Sequence, residues 1–190
     1  LKRINNDMAV NQTIQSFYRT AADRDFSRDF LFRVQSMNLP GAGTMPETEL
    51  VYAKAANLPG RSITNVPVPY MGLNFNVPGN ATYPGSDGYS LTFYLDAASK
   101  IRTYFETASR GLFDDSTSIG GYGTPDDDYF LTLVQLDKSL EPIENGTFKL
   151  IGASVRNIND IAYSIASGTG QTVEVTATIA YHYYIDPRTA

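Results

Sequence analysis

Apolar residues in this chain recur at every second position in most stretches and at helical spacing in only two. Alternation gives an extended strand one apolar and one polar face, so the pattern predicts a mainly β protein with few helices. The densest strand signal runs from Leu58 to Gly79, LPGRSITNVPVPYMGLNFNVPG. Leu58-Pro59-Gly60 opens it, Pro67 and Pro69 divide it, and Pro78-Gly79 closes it. Within it Leu73, Phe75 and Val77 alternate with Asn74 and Asn76, so the stretch reads as a hairpin whose use is to be a surface.

Taken in order, Ile14, Phe17, Tyr18 and Ala21 fall at helical spacing, predicting a short helix or arm over residues 11–22 with Asn11 or Thr13 as its cap. Asp23, Arg24, Asp25, Arg28 and Asp29 alternate in sign, as a solvated linker does. Phe30, Phe32 and Val34 face one way while Arg33 and Gln35 face the other, which predicts a half-buried strand over 30–37 that ends at Leu39-Pro40-Gly41. Residues 41–49, GAGTMPETE, have no period and read as a long excursion, after which 50–56 is extended again.

Tyr89, Leu91, Phe93 and Leu95 share one strand face, and the period changes at Asp96, a good N-cap. Ile101, Tyr104, Phe105, Ala108 and Leu112 then form a one-sided stripe, predicting a helix over about 96–110 that Gly111 stops and that packs on a sheet. Residues 114–128 form a polar glycine-rich loop, long enough to call for a role. Strands are expected over 129–136 and 147–155, with Asn145-Gly146 as a tight turn before the second. Residues 172–185 alternate throughout and predict one over-long strand, spanning a large sheet or reaching into a partner.

Composition narrows the classes. The 190 residues carry no internal break, which favours an N-terminal arm over 1–24 and a single domain over 25–190. A net charge of -5 disfavours a phosphate-binding surface. With no cysteine, neither disulfides nor thiolate metal sites hold the fold. No stretch reaches the roughly 20 apolar residues of a bilayer span, and none at the start has signal-peptide length, so a soluble protein without membrane insertion is expected. Residues 1–7 precede Met8-Ala9-Val10, an ordinary start, and read as a cloning remnant or a native extension.

No catalytic set emerges. His182 is the only histidine, which precludes a multi-histidine metal site or a histidine triad beyond that one residue, and it reads as a solvent or interface residue. Asp126-Asp127-Asp128 lacks the alternating oxygen ligands of a calcium loop, and Gly120-Gly121-Tyr122-Gly123 lacks the lysine of a phosphate loop. No catalytic, cofactor or metal residue is therefore assigned, and no enzyme is expected. The aromatics, 13 tyrosines and 10 phenylalanines without tryptophan, fall mostly on strand faces with Leu and Val, as core or interface residues do.

Four segments together resemble the tail-tube protein of contractile-tailed bacteriophages of the T-even type. They are Met8–Val34, with Asp25-Phe26-Ser27-Arg28 and Leu31-Phe32-Arg33-Val34; Ala53–Gly79, with Ala53-Lys54-Ala55-Ala56-Asn57-Leu58-Pro59-Gly60 and Asn74-Phe75-Asn76-Val77-Pro78-Gly79; the Leu91–Ser109 strand and helix; and Gly152–Asn157 with the Val173–Tyr184 strand. The weight of the resemblance comes from their order and spacing.

The resemblance implies a β-sandwich or barrel-like subunit with one flanking helix. Its homohexameric rings would stack into a hollow tube inside a contractile sheath. The implied partners are the tail sheath, baseplate and tail-terminator proteins. DNA would pass through the lumen without sequence-specific binding, in a virion assembled in the host cytoplasm. Ring stacking is expected of Ile14, Phe17, Tyr18, Thr44, Met45, Pro46 and Glu47, and a lumen or subunit seam of Asn74, Asn76, Glu174 and Thr176. The alternatives are a baseplate protein that initiates the tube, or the tube of a tailocin, a contractile injection system or a type VI secretion apparatus. Outside that class stands a β-sandwich carbohydrate-binding module.

Overall fold

The computed structural model describes residues 13–121, 128–166, 168 and 170–186. Two units separate between Leu31 and Phe32. The first contains helix α1 (Ile14–Arg24). Thr13 caps it: its Oγ1 accepts the Ser16 N–H at 3.2 Å while Ser16 Oγ accepts the Thr13 N–H at 3.0 Å, satisfying two otherwise orphaned donors. The alternative cap, Asn11, lies outside the described residues, as does the segment 1–7.

The second unit opens with β1 (Phe32–Leu39), β2 (Gly43–Thr44), a short helix α2 (Glu47–Leu50) and β3 (Ala53–Ala56). A long hairpin follows, β4 (Ser62–Tyr70) and β5 (Leu73–Thr82), then β6 (Tyr89–Tyr94) and helix α3 (Lys100–Leu112). Next come a minor hairpin of β7 (Phe113–Asp114) and β8 (Ile119–Gly120), then β9 (Phe130–Leu136), β10 (Pro142–Ile151), β11 (Ser154–Ile158), β12 (Glu174–Ala180) and β13 (Tyr183–Ile185). One sheet has the order β13-β10-β9-β1-β2 and another β11-β12-β6-β3, with antiparallel pairing among the described strands.

Alternation builds the core between these sheets. Met37, Leu39, Leu131 and Leu150 come from the first sheet and Leu91, Phe93, Val175, Ala177 and Ile179 from the second, all fully buried in one cluster. Helix α3 adds Ile101, Phe105 and Ala108 to it, with the Phe93 and Phe105 rings 5.7 Å apart. The fold is mainly β, a sandwich with one flanking helix, as predicted.

Several local expectations are corrected. In β1 a bulge between Val34 and Ser36 changes the inward parity, so Val34 is followed inside by Met37 and Leu39. Residue Phe30 lies before the strand and is exposed. The 41–49 excursion is ordered: Thr44 pairs with Asn38, and Met45 is only 1% exposed. Helix α3 starts at Lys100, after Ser99 at φ 54°, yet the Asp96 carboxylate still accepts the Ile101 N–H at 3.4 Å.

Two turns also differ. The β9–β10 turn uses Asp137, whose carboxylate accepts the Ser139 and Glu141 N–H groups at 2.7 and 2.9 Å, whereas Asn145-Gly146 sits inside β10. The strand expected over 147–155 breaks at Gly152, and the one over 172–185 breaks at residues 181–182; each passes from one sheet to the other. The apparent length of the last strand is thus two strands and a corner, which removes the need for a large sheet or a partner. After the corner Tyr184, not Tyr183, turns toward Phe148 and Tyr83.

Gly111 lies within α3 and does not stop it. Its role is a close crossing, since a Cβ there would stand 2.6 Å from Gly41 Cα. Such overpacking costs about 1–3 kcal/mol, more than the roughly 1 kcal/mol of helix propensity that alanine adds. Gly111→Ala is expected to lower the urea unfolding midpoint; an unchanged or higher midpoint would show that the crossing opens freely.

Burial pushes the pKa of half-buried Tyr104, whose hydroxyl donates to the Gly43 carbonyl at 2.6 Å, up to about 12. Burial also raises Tyr89 and Tyr181. A folded-state value above the unfolded one of about 10 means that stability is fully present below that pH and lost as pH rises through 12. Urea midpoints should fall across that window and fall less for Tyr104→Phe; a flat wild-type profile would contradict the assignment.

Candidate assembly interface

The hairpin of β4 and β5 is built around the two-residue turn Met71-Gly72, with φ of 49° and 80°. Positive φ at both positions is the turn geometry that matches strand twist. It sets Tyr70 opposite Leu73, Pro69 opposite Asn74, Val68 opposite Phe75, Pro67 opposite Asn76 and Val66 opposite Val77. Directly opposed residues share a face. Val66, Val68, Tyr70, Leu73, Phe75 and Val77 therefore form one apolar face, and Pro67, Pro69, Asn74 and Asn76 form the other.

This hairpin is a two-stranded sheet of its own. All six apolar side chains are exposed, from 45% for Val68 to 65% for Tyr70. An isolated hairpin is marginal in water, and burying one such side chain stabilises by roughly 1.5–3 kcal/mol. A contiguous apolar face left in solvent is the signature of a binding surface. The alternation of Leu73, Phe75 and Val77 was legible; the matching Val66, Val68 and Tyr70 on β4 were missed, although their own alternation with Pro67 and Pro69 carried the signal.

The seam residues fall on different sheets. Asn74 and Asn76 lie on the polar face of the hairpin, whereas Glu174 and Thr176 lie on the outward face of β12. Glu174 accepts a hydrogen bond from Lys54, and this pairing holds the Lys54 ammonium above its usual range. Thr176 Oγ1 is 3.0 Å from Thr92 Oγ1, and the Thr176 N–H donates to Asn159 Oδ1 at 2.6 Å. That face is rich in hydroxyls and its one β12 carboxylate is matched by a cation.

The stacking residues also divide. Ile14, Phe17 and Tyr18 are 76%, 58% and 67% exposed on α1, which buries none of its residues within its own unit. Thr44, Pro46 and Glu47 are exposed on β2 and at the start of α2. Met45 between them belongs to the core, where Leu50 joins it, so it is withdrawn from any surface role.

Among the described residues no group of three or more His, Asp or Glu side chains could hold a metal ion, and no helix is long and apolar enough to cross a membrane. Residues 122–127, with most of the aspartate triplet and half of the glycine run, lie outside the described residues. His182 sits between β12 and β13, at the corner and not on a strand face.

No known family's sequence profile matches this chain, and no curated protein matches it. Solved structures do. A chain of the anti-feeding prophage baseplate, six-fold symmetrised, is 13% identical with a TM-score of 0.53, over 85% of this chain and 93% of that one. A chain of the anti-feeding prophage tube-terminating cap is 10% identical with a TM-score of 0.57, over 87% and 92%. A chain of the sheath-tube complex of an extracellular contractile injection system, in the extended state, is 12% identical with a TM-score of 0.52, over 88% and 95%. The chain thus shares, over nearly its whole length, the fold of components of contractile injection systems.

Proposed function

We propose that this chain is a structural subunit of a contractile tail, and specifically a tube subunit that forms hexameric rings through its β4–β5 hairpin. The observation that carries the reading is the exposed apolar face of Val66, Val68, Tyr70, Leu73, Phe75 and Val77 on a hairpin with no core beneath it. The fold shared with contractile-system components, one of them in a six-fold symmetrised assembly, supports the class. In this reading the rings stack into a tube within a sheath, bounded by baseplate and terminator proteins, in a phage virion of the T-even type. The tube passes DNA. Helix α1 and the exposed Thr44, Pro46 and Glu47 are the stacking elements, and the Asn74/Asn76 face lines a seam or the lumen.

A tube initiator or terminator is the second reading, favoured by the matches to a baseplate chain and to a tube-terminating cap. Copy number per purified particle separates the two. The first test is negative-stain microscopy of the purified protein across a concentration series. Rings or hollow tubes are expected, and a monomer that persists at high concentration would overturn the ring reading. The double variant Val68→Ser with Phe75→Ser should keep the monomer's unfolding free energy within about 0.5 kcal/mol per substitution, as exposed positions do, yet lose assembly. Normal assembly by that variant would remove the apolar face from the interface.

A further inference from the structure

We propose that Tyr89 and Tyr181 are positioning residues that tie the two legs of the β4–β5 hairpin into one collar, fixing the direction in which the hairpin leaves the sandwich. The inference rests on the ring reading and deepens it, since an interface carried on an arm is only as well placed as the arm. Neither β4 nor β5 pairs with a strand of the two main sheets. The hairpin's direction is therefore set at its base, by residues 57–61 that lead into β4 and 83–88 that follow β5. Strands of nine and ten residues, at about 3.3 Å per residue, make an arm of about 30 Å. A tilt of about 10° at the base then moves the tip by about 5 Å, the spacing of neighbouring strands.

Both legs are tied to the core by tyrosine. Tyr89 and Tyr181 are 6% and 4% exposed and belong to the buried cluster, their rings edge to face at 6.0 Å. The Tyr89 hydroxyl donates to the Asn57 carbonyl on the first leg. The Tyr181 N–H donates to the Ser86 carbonyl on the second, at 2.7 Å. The ring pair thus bridges the legs through the core. On the second leg Tyr83 also stands edge to face on Tyr184 at 5.5 Å, and Arg156 Nη1 donates to the Asp87 carbonyl at 2.7 Å and to its carboxylate at 2.9 Å.

The residue type at position 89 points the same way. Phe93, on the same face of β6, is fully buried as a phenylalanine, so burial alone asks for no hydroxyl there. A hydroxyl in a buried position costs desolvation unless it is bonded. The one at 89 is bonded to a backbone carbonyl outside both sheets, and ordering that carbonyl is what tyrosine adds over phenylalanine. The first leg, which carries Pro59 and no strand pairing, depends on that bond.

The chain has no cysteine, so a pair of spin labels can be placed cleanly by Met71→Cys at the exposed hairpin turn and Lys138→Cys at the exposed β9–β10 turn. In the labelled monomer, Tyr89→Phe should broaden the distribution of distances between the labels about twofold, as a swing of roughly one strand spacing at the tip requires. Tyr104→Phe is the control: it loses a hydroxyl bond to Gly43 on a different element, and should lower the urea midpoint without broadening the distribution. Unlabelled Tyr89→Phe should need about fivefold more protein than the wild type to form rings, the effect of losing one net hydrogen bond. A distribution that Tyr89→Phe leaves unchanged, or that Tyr104→Phe broadens equally, would overturn the collar. Ring formation by Tyr89→Phe at the wild-type concentration would overturn its bearing on assembly. A wild type that forms no rings would instead remove the ring reading, with the distance distribution still deciding the collar.

Discussion

The corner at which two strands change sheets holds this fold together. Strand β10 becomes β11 across Gly152 and Ala153, and β12 becomes β13 across Tyr181 and His182. The crossings are fastened to each other and to the start of β9. The His182 N–H donates to the Ile151 carbonyl at 2.9 Å, and the Tyr129 carbonyl accepts from both Gly152 and Ala153 at 2.8 and 3.1 Å. Gly152 has φ +71°, and a Cβ there would lie 2.0 Å from His182 Cδ2. Only glycine fits both the left-handed backbone and the imidazole against it. In a chain without cysteine, this shared bend makes two sheets one cooperative body.

The hairpin is built on the opposite principle. Its register is as well specified as that of any strand in the sandwich, by a two-residue turn and six consecutive pairs, but its apolar face stays about half exposed in its own unit. A sandwich sheet is stabilised by its own core, whereas this one leaves much of that face in solvent. Helix α1 has the same character, with a reciprocal cap that defines its start and apolar residues that nothing in its unit buries. The parts that the core does not use are therefore locally well formed, as expected of surfaces that exist to be covered.

Much of this was legible in the order of residues, and what was not has physical causes. Alternation located β6 and the inward Val175, Ala177 and Ile179 of β12, because a strand with one buried face writes its burial into a period of two. Bulges and corners carry no such mark. The single extra residue between Val34 and Ser36 and the break at 181–182 each invert the inward parity without changing composition, so strands were drawn too long or facing the wrong way. Gly111 signalled a helix end by residue type, whereas its function is set by Gly41, far away in sequence. Met45 lay in an aperiodic run and is buried by tertiary contacts alone. The candidate interface was half readable: alternation on β5 gave a two-faced strand, but burial by a neighbour and burial in one's own core write the same pattern.

Net charge proved a coarser guide than placement. An acidic total suggested a surface that repels a polyanion, yet a total counts residues wherever they lie. On the outward face of the β11-β12-β6-β3 sheet, Glu174 is matched by Lys54, Asp87 accepts Arg156 at 2.9 Å, and the Thr92–Thr176 hydroxyl pair lies between strands. Compensated pairs of this kind exert little field beyond a Debye length of about 10 Å. The cations are held by carboxylates and the hydroxyls by each other, which leaves few groups to grip a phosphate. Such a face offers a polyanion neutral, self-satisfied chemistry, so weak adhesion there would not require repulsion.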